Sequence, residues 1–559
     1  MSSDQINVVM PIPNLTRFRR KKTGLAGFIE RLRSPFEMSS ERPVGAKFAT
    51  ETVYESFLKY HSCGSTFLMH LWDSNAVLGS STTPEQSSRR LVVPSDLHEL
   101  KSFVLFDPQH ISPEMIDFRH GYLKRARPVV FSHHSLSYRA QLKHTFLPLL
   151  LSPTIPTDTV VCSSTAASAA FTQLLGHVAQ AAEIPQERFR GRQVVIPYAV
   201  DTELFHPASR ASARKHFGLP PDAFIVLMFG RKSPADKADL LPMLYEFQRL
   251  RSRLPRALLL IAGNARVESS DFLKDEIDAR GLSEGVLLRS LIADNERVQL
   301  YNSADVFVSL SDNIQEAFGL SVIEAMSCGI PQIVSDWDGY RDLVQHGVTG
   351  FRAATTWHPC DTAIRIDGIP FENDFLYDHF RLAQSVAVDI QKVSSWLQLL
   401  AGDSELCSRL GEASRHRAIA EYSRQLMVDR YCDLFRDLLH QTHGDELECD
   451  FKNLYRVPAY YDCFSAYATY DLANSAPLLL DHERASMLLK QGMPYGRMFK
   501  LDPYEKWDIA AIIAKLAQAP GGMLLSDLVA HFSPSSDREL ITRQILWLIK
   551  YGGVYIDEM

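Results

Sequence analysis

The sequence predicts an α/β protein with two Rossmann-like lobes that face each other across a cleft, followed by a helical module. Short apolar runs alternate with longer amphipathic segments over most of the chain, which is typical of a doubly wound parallel sheet. Most of these runs are continuously apolar at their centres. That pattern indicates strands covered by helices on both faces.

The predicted strands fall into two groups. The first group comprises 127–134, 158–164 and 191–200, and the second comprises 222–231, 256–264, 285–291, 304–312 and 330–336. Helical segments at 238–254, 269–282 and 294–304 separate members of the second group. A loop rich in Pro, Ser and Ala lies between the groups and predicts a boundary near residue 215. The predicted domains are therefore 1–215, 216–440 and 441–559.

Composition is ordinary for a globular protein and excludes several classes. The chain has 559 residues, 46% of them hydrophobic, and a net charge of −7, so no global basic field favours nucleic acid. Eight scattered cysteines without a C-x-x-C pair predict reduced thiols. The sequence shows neither a signal peptide nor an apolar run of about 20 residues, so we expect a cytoplasmic protein.

The stretch SLSDNIQEAFGLSVIEAMSCGIP places Glu316 in a loop after a predicted strand and Glu324 inside the following helix. Gly329 just past the helix is the expected stop signal. Free N–H groups and the helix dipole make the helix start, near Gly319, a site for anions such as phosphate. Eight positions correspond to about 12 Å along a helix, the scale of a nucleoside diphosphate. Carboxylates accept hydrogen bonds from hydroxyl pairs, so the two glutamates are candidates for holding a ribose and a sugar.

A diphosphate also needs cations, and FGRKSPADK supplies them after the strand AFIVLM. Arg231 and Lys237 are the main candidates, and Lys232 is a weaker one. Arginine offers a planar fork to phosphate oxygens and lysine a mobile point charge. Two fixed cations can stabilise a leaving diphosphate without a metal.

EAFGLSVIEAMSCGIP resembles the E-x7-E signature of retaining glycosyltransferases of family 4, which have the GT-B fold. VVIPYAVDTELFHP, FGRKSPADK and DNERVQLYNSADVFVSLS are similar to further segments of that family in the same order, over roughly residues 127 to 440. The resemblance implies a retaining transferase that moves a sugar from a nucleotide-diphosphate sugar to an acceptor hydroxyl. It also implies that no metal or other cofactor takes part.

The resemblance further implies a role for individual residues. Glu316 would meet the transferred sugar and Glu324 the ribose hydroxyls. Arg231 and Lys237 would hold the diphosphate. The remaining implied contacts to the nucleotide sugar are the backbone around Phe318, Gly319, Leu320, Ser290 and Leu291.

The family also supplies a histidine from the first lobe, near the transferred sugar. VVFSHHSLSYR offers His133 and His134, and His133 is the preferred candidate. The chain departs from the family at its front, because NVVMPIPNLTRF lacks the usual Gly-Gly loop. The acceptor is therefore left open.

Two further segments have competing interpretations. DWD, at 336–338, resembles the metal-binding D-x-D of the other large glycosyltransferase fold, but it follows a strand of a two-lobe chain, so we predict no metal there. The basic run 16–34 is compatible with peripheral contact to an anionic membrane, although a solvated face is the expected state.

Residues 504–559 predict a helix, a short helix, a long helix and a terminal strand, an order that resembles a winged helix. The long helix DRELITRQILWLIK carries few cations, so acceptor recognition or self-association is favoured over DNA binding. Two alternatives to a transferase stay open. One is another GT-B enzyme, such as a sugar-nucleotide epimerase or phosphorylase, and the other is a scaffold subunit without catalysis.

Overall fold

The computed structural model describes most of the chain. The described residues are 6–12, 45–359, 375–442, 447, 477–491, 508–532 and 538–556, apart from 63, 71–88, 93, 101, 135, 236, 264–266 and 291. The basic run 16–34 and Leu291 lie outside them. None of the helices in this part of the chain combines the length and the apolar character needed to span a bilayer.

The first lobe is a seven-stranded parallel sheet. Its strands are β1 Val8–Ile12, β2 Thr66–His70, β3 Arg89–Val92, β4 Val104–Asp107, β5 Val129–Ser132, β6 Thr159–Cys162 and β7 Arg192–Val195. Its helices are α1 Gly45–Tyr60, α2 Pro113–Phe118, α3 Arg139–Gln141, α4 Leu147–Leu151 and α5 Thr165–Ala181. The strand order is β3-β2-β1-β4-β5-β6-β7, which is the Rossmann order with one strand added.

The second lobe repeats this order in a six-stranded sheet, β10-β9-β8-β11-β12-β13. The strands are β8 Phe224–Phe229, β9 Ala257–Ala262, β10 Val286–Arg289, β11 Val306–Ser309, β12 Gln332–Ser335 and β13 Gly350–Ala353. The helices are α6 Arg210–Phe217, α7 Leu241–Arg253, α8 Val267–Ala279, α9 Arg297–Asn302, α10 Leu320–Ser327, α11 Tyr340–Leu343, α12 Phe375–Ala383, α13 Ile390–Gly402 and α14 Ser404–Tyr422. Short antiparallel strands β14 Thr355–Thr356 and β15 Ala387–Val388 complete it.

The helix after the second lobe returns to the first. Helix α15, Arg424–Gln441, packs its Tyr431 ring against Phe57 of α1, with ring centroids 5.6 Å apart. Arg424 at its start forms an ion pair with Glu55 of α1 at 3.4 Å. The two lobes consequently share one continuous hydrophobic core.

Two lobes with matching Rossmann strand orders confirm the predicted GT-B architecture. All five strands expected in the second lobe are present, and so are the three expected in the first. The predicted strand segments did not include β1 to β4 of the first lobe or β13 of the second, each of which is four or five residues long. The domain boundaries at 215 and 440 stay predictions.

A second compact unit contains the C-terminal elements. They are β16 Pro477–Leu480, α16 His482–Gln491, α17 Ile509–Leu516, β17 Met523–Leu524, α18 Leu525–Phe532, α19 Arg538–Lys550 and β18 Val554–Ile556. An antiparallel sheet of order β17-β16-β18 packs with the helices around a core that includes Leu478, Leu528 and Ile545. The central strand β16 lies upstream of the segment from which a winged helix was inferred, and that interpretation stays a prediction.

Candidate active site

The loops that carry the predicted residues meet at one edge of the second sheet. Strands β8 and β11 are neighbours there, and the strand order reverses between them. In open α/β sheets, ligands bind in the crevice beyond the carboxyl ends of strands at such a reversal. The loop after β8 carries Arg231 and Lys237, and the loop after β11 carries Glu316. A small cavity of about 30 Å³ lies at the carboxyl ends of β8 and β11, lined by Gly230, Arg231, Lys237, Ser309 and others.

Lys237 and Glu316 form an ion pair at the centre of this crevice. Their side chains are 18% and 13% exposed. Burial alone would lower the pKa of Lys237, but Glu316 and Tyr340 outweigh it and raise that pKa above its usual range. Burial likewise would raise the pKa of Glu316, but Lys237, the Phe318 amide and Arg231 lower it overall. Both groups are therefore charged at neutral pH.

Tyr340, from α11, completes this cluster. Its hydroxyl lies 3.3 Å from both Lys237 Nζ and Glu316 Oε2, and 2.8 Å from Ser309 Oγ. Burial, together with Glu316, raises the pKa of Tyr340 to about 12. Tyr340 was not predicted from the sequence, since a single tyrosine in an amphipathic segment carries no signal of its own.

The other two cations of the β8 loop are engaged differently. Arg231 Nη2 donates to Gln315 Oε1 at 2.8 Å, next to Glu316. Lys232 is buried and donates to Ser290 Oγ at 3.1 Å. Burial lowers the pKa of Lys232. The predicted Ser290 thus lies at the same crevice as Lys232, while Leu291 is outside the described residues.

Helix α10 begins directly after Gly319, as predicted. Gly319 has φ +117°, and a Cβ there would lie 2.5 Å from Tyr340 Cε1, so only glycine fits. The Phe318 ring faces away into the core, 5.5 Å from the Tyr198 ring. The backbone of Phe318, Gly319 and Leu320 therefore forms the helix start, while Phe318 anchors it.

Glu324 lies on α10 and is held apart from the Lys237 cluster. It forms an ion pair with Arg297, and the Tyr301 hydroxyl donates to its Oε2 at 2.6 Å. Arg297 and Tyr301 are four residues apart on α9, so they share one helix face. That spacing was visible in DNERVQLYNSA, but nothing in it identified Glu324 as the partner.

The first-lobe histidines are placed differently from each other. His133 is 2% exposed and packs within the first lobe, with its Nε2 3.3 Å from Cys162 Sγ and its ring stacked near Phe171. Burial lowers its pKa to about 4. The structure therefore does not bring the preferred His133 side chain to Glu316 and Lys237. His134 stacks on Tyr198, at 5.2 Å between centroids, and Tyr198 in turn contacts Phe318.

The carboxyl end of β6 in the first lobe touches the Glu316 loop. Ser163 and Ser164 hydroxyls both donate to the Ala317 carbonyl, at 3.1 and 3.0 Å. The start of α5 also receives Asp342 from the second lobe, whose carboxylate accepts from Thr165 N and Oγ1, each at 2.7 Å. The carboxyl edges of the two sheets therefore face each other, as expected for the predicted cleft.

Both aspartates of the D-x-D at 336–338 have partners within the chain. Asp336 forms ion pairs with Arg352 at 3.3 Å and Arg341 at 3.9 Å. Asp338 lies 3.5 Å from Ser164 Oγ, and burial with the nearby Glu316 raises its pKa to about 8. Within the described ranges, no group of three or more His, Cys, Asp or Glu side chains is arranged to hold a metal ion.

Comparison with known proteins finds similarity that is concentrated in the second lobe. Residues 209–367 match the family described as Glycosyl transferases group 1. D-inositol 3-phosphate glycosyltransferase of Thermobispora bispora is 33% identical over 164 residues, which are 28% of this chain and 38% of that protein. The enzyme of the same name from Mycolicibacterium smegmatis is 34% identical over 164 residues, 29% of this chain and 36% of that protein. The chain thus spans less than two fifths of the length of these curated relatives.

Solved structures give a more distant similarity over a longer range. Anabaena Alr3699/HepE in complex with UDP and glucose is 15% identical, with a TM-score of 0.48, covering 77% of this chain and 99% of that chain. Sucrose-phosphate synthase from Thermosynechococcus elongatus is 16% identical, with a TM-score of 0.49, covering 78% and 99%. These scores are low, so the fold assignment stands on the strand order of the two sheets.

Proposed function

Since residues 209–367 carry the glycosyl transferases group 1 match, we propose that this chain is a retaining glycosyltransferase that uses a nucleotide-diphosphate sugar. The observation that carries the proposal is the Lys237–Glu316–Tyr340 cluster beside the start of α10, at the strand-order reversal. It combines a fixed cation, a carboxylate and free helix N–H groups in one crevice. That combination suits a diphosphate linked to a sugar.

Each part of the nucleotide sugar has a matching group. Lys237 and Arg231 supply positive charge to the diphosphate, and the amides at Gly319 and Leu320 add the helix start. Glu316 accepts hydrogen bonds from sugar hydroxyls, and Glu324 from ribose hydroxyls. Ser290 lies beside the expected base position. Lys237 already neutralises Glu316, so a bound diphosphate shares a cation that is held in place beforehand.

The reaction breaks the bond between sugar C1 and the diphosphate oxygen and forms a bond from C1 to the acceptor oxygen. The acceptor hydroxyl loses its proton to the departing phosphate or to solvent. Lys237 and Arg231 stabilise the charge that develops on the leaving diphosphate, because they are ordered before the reaction begins. The Ser163 and Ser164 hydroxyls, which donate to the Ala317 carbonyl, hold the first lobe against the Glu316 loop.

The acceptor binds on the first-lobe side. The family match covers the second lobe only, so the inositol phosphate named in the relatives is not carried over. The carboxyl end of β6 lies against the Glu316 loop, since Ser164 Oγ donates to the Ala317 carbonyl, and β5 is the neighbouring strand. An acceptor with a free hydroxyl is therefore expected to enter between these ends and the Glu316 loop.

A thermal-shift panel of UDP-, GDP- and ADP-sugars on wild type, Arg231→Ala and Arg249→Ala tests nucleotide-sugar binding. Arg249 is a matched control, since it is a 62% exposed arginine on α7 of the same lobe. We expect one nucleotide class to stabilise wild type and Arg249→Ala, and to stabilise Arg231→Ala far less. If no nucleotide sugar raises the melting temperature of wild type, the result favours the alternative of a scaffold subunit without catalysis.

Product analysis separates the enzyme classes. Incubation with the stabilising sugar nucleotide, with and without an acceptor panel, should give a glycoside of unchanged anomeric configuration only when acceptor is present. A changed sugar nucleotide without acceptor indicates an epimerase, and a sugar phosphate formed from inorganic phosphate indicates a phosphorylase. Activity is expected to persist in EDTA, because Lys237 and Arg231 replace the charge of a metal.

A further inference from the structure

The second glutamate of the signature is already engaged from within the chain. Arg297 pairs with Glu324 Oε1, and Tyr301 O–H donates to Oε2 at 2.6 Å. The Glu324 side chain is 3% exposed. A ribose that approaches this carboxylate therefore meets two oxygens that both have partners.

Arg297 is held at this position by aromatic rings. Its guanidinium carbon lies 5.6 Å from the Phe205 ring centroid and 5.4 Å from that of Phe229. Phe229 ends β8, immediately before the loop with Arg231. Arginine packs favourably on aromatic faces, so these two rings hold the guanidinium beside Glu324.

The two partners of Glu324 differ in their freedom to leave. Tyr301 is 0% exposed and belongs to the shared core of the two lobes. The Arg297 side chain is 13% exposed and lies at the first position of the six-residue helix α9. Rotation of Arg297 towards solvent would uncover one face of the Phe205 ring, whereas movement of Tyr301 would open the core itself.

We propose that Arg297 is an internal competitor for the ribose hydroxyls at Glu324 and thereby determines how strongly this chain prefers ribose to deoxyribose nucleotides. The inference rests on the proposed function, because it assumes that Glu324 meets the ribose. Nucleotide binding exchanges the guanidinium for a pair of hydroxyls, so the buried carboxylate keeps a partner throughout. The affinity gained from the hydroxyls is reduced by the ion pair that is given up.

The test compares dissociation constants of UDP, GDP and ADP with those of their 2′-deoxy counterparts, on full-length wild type and Arg297→Met. We expect the ribonucleotide that binds wild type to bind Arg297→Met about tenfold more tightly. The 2′-deoxy form keeps only the 3′-hydroxyl of the pair, so its affinity should rise by a smaller factor than that of the ribonucleotide. The ribose preference therefore rises in the variant. Arg297→Met should also melt earlier without nucleotide and recover more on adding it.

Arg214→Met is the matched control, because Arg214 also forms a largely buried ion pair in the second lobe, with Asp305 at 2.6 Å. It should lower the melting temperature without changing the ribose preference. Arg297→Gln keeps a neutral hydrogen-bond donor and carries the same test, with a smaller rise, if the methionine variant does not fold.

An unchanged or smaller ribose preference in the Arg297 variants overturns the inference, since it would make Arg297 a residue that positions Glu324. In that case nucleotide binding to wild type still supports the proposed function. If no nucleoside diphosphate binds wild type or any variant, the proposed function itself fails and the inference fails with it.

Discussion

Two largely buried ion pairs, one in each lobe, occupy opposite edges of their sheets. Arg119–Asp158 lies where β5 and β6 begin, and both side chains are 0% exposed. Lys237–Glu316 lies where β8 and β11 end, and its side chains keep 18% and 13% exposure. Amino ends of parallel strands face away from the ligand crevice and carboxyl ends face it. Their positions in the sheets alone therefore indicate that the second pair, and not the first, lies near the ligand crevice.

The two pairs also differ in how many backbone groups they contact. Arg119 also donates to the carbonyls of Arg127 and Pro153, at 3.0 and 3.1 Å, and Asp158 accepts from Val129 N and Ile155 N. The first pair thus ties four backbone segments together. In the second pair Lys237 lines a small cavity, and in the described part of the chain Glu316 is also contacted by the Tyr340 hydroxyl and the Phe318 amide. The first pair therefore has the contacts of a structural pair, and the second is the pair that we propose to act on a ligand.

The largest effect on stability should come from breaking the first pair. Arg119→Met leaves Asp158 buried without its cation, so the free energy of unfolding should fall by about 3–5 kcal/mol. Chemical denaturation combined with hydrogen exchange of first-lobe amides measures the loss. The double variant Arg119→Met/Asp158→Leu should recover much of it, because no buried charge is then left. A loss below about 1 kcal/mol in the single variant would contradict a structural role.

Breaking the second pair should lower activity strongly and stability only moderately, in contrast to the first pair. Lys237→Ala removes a cation that we propose to face the leaving diphosphate, so kcat/KM should fall by about 10²–10³-fold. The partly exposed Glu316 can still be solvated, so stability should fall less than in Arg119→Met. Steady-state kinetics with the identified nucleotide sugar and a melting curve give both quantities. A variant that melts as early as Arg119→Met but keeps its kcat/KM would make Lys237 structural.

The contrast between the pairs also explains what the sequence could and could not predict. Apolar runs and the E-x7-E spacing located both lobes, the start of α10 and the loop of Glu316, because these are local patterns. The pairing of Lys237 with Glu316 depends on β8 lying beside β11, and strand order cannot be read from local pattern. Arg297 and Glu324 likewise meet across 27 positions of sequence.

The sequence also could not show which of His133 and His134 points towards the cleft, for a different reason. Successive side chains at a strand end point to opposite faces, so one of two adjacent histidines faces the core and the other the cleft side. An apolar strand covered on both faces gives no sign of which is which. The structure puts His133 against Cys162 and Phe171, and His134 against Tyr198.

A smaller effect is expected on stability at acidic pH, where the two lobes should lose stabilising interactions at different pH values. The pKa of His133 is lowered from 6.5 to about 4 by burial, so the unfolded chain takes up a proton first. His133 therefore stabilises the fold above pH 6.5, and this contribution is lost as pH falls towards 4. Glu316 has a lowered pKa, so its contribution is lost only below the ordinary glutamate range of about 4.3. The first lobe should thus weaken before the Lys237–Glu316 pair does.

Melting curves between pH 7 and pH 4 on wild type and His133→Asn measure this order. The variant should show a shallower decline, by up to about 1.4 kcal/mol per pH unit, because it has no proton to take up there. His134, with its pKa lowered to about 3 by burial and neighbouring histidines, remains and leaves part of the slope. Equal slopes in both proteins would show that His133 is not the group that titrates.

The smallest effect is expected from an ion pair that belongs to neither class. Arg256 pairs with Asp222 at the amino ends of β9 and β8, but the side chains are 79% and 56% exposed. Arg256→Ala should change the free energy of unfolding by less than about 0.5 kcal/mol and leave kcat/KM unaltered, since water replaces the partner. Measured beside Arg119→Met and Lys237→Ala, it separates the contribution of charge pairing from that of burial. A loss comparable with that of Arg119→Met would mean that strand-edge position alone, and not desolvation, makes an ion pair structural in this fold.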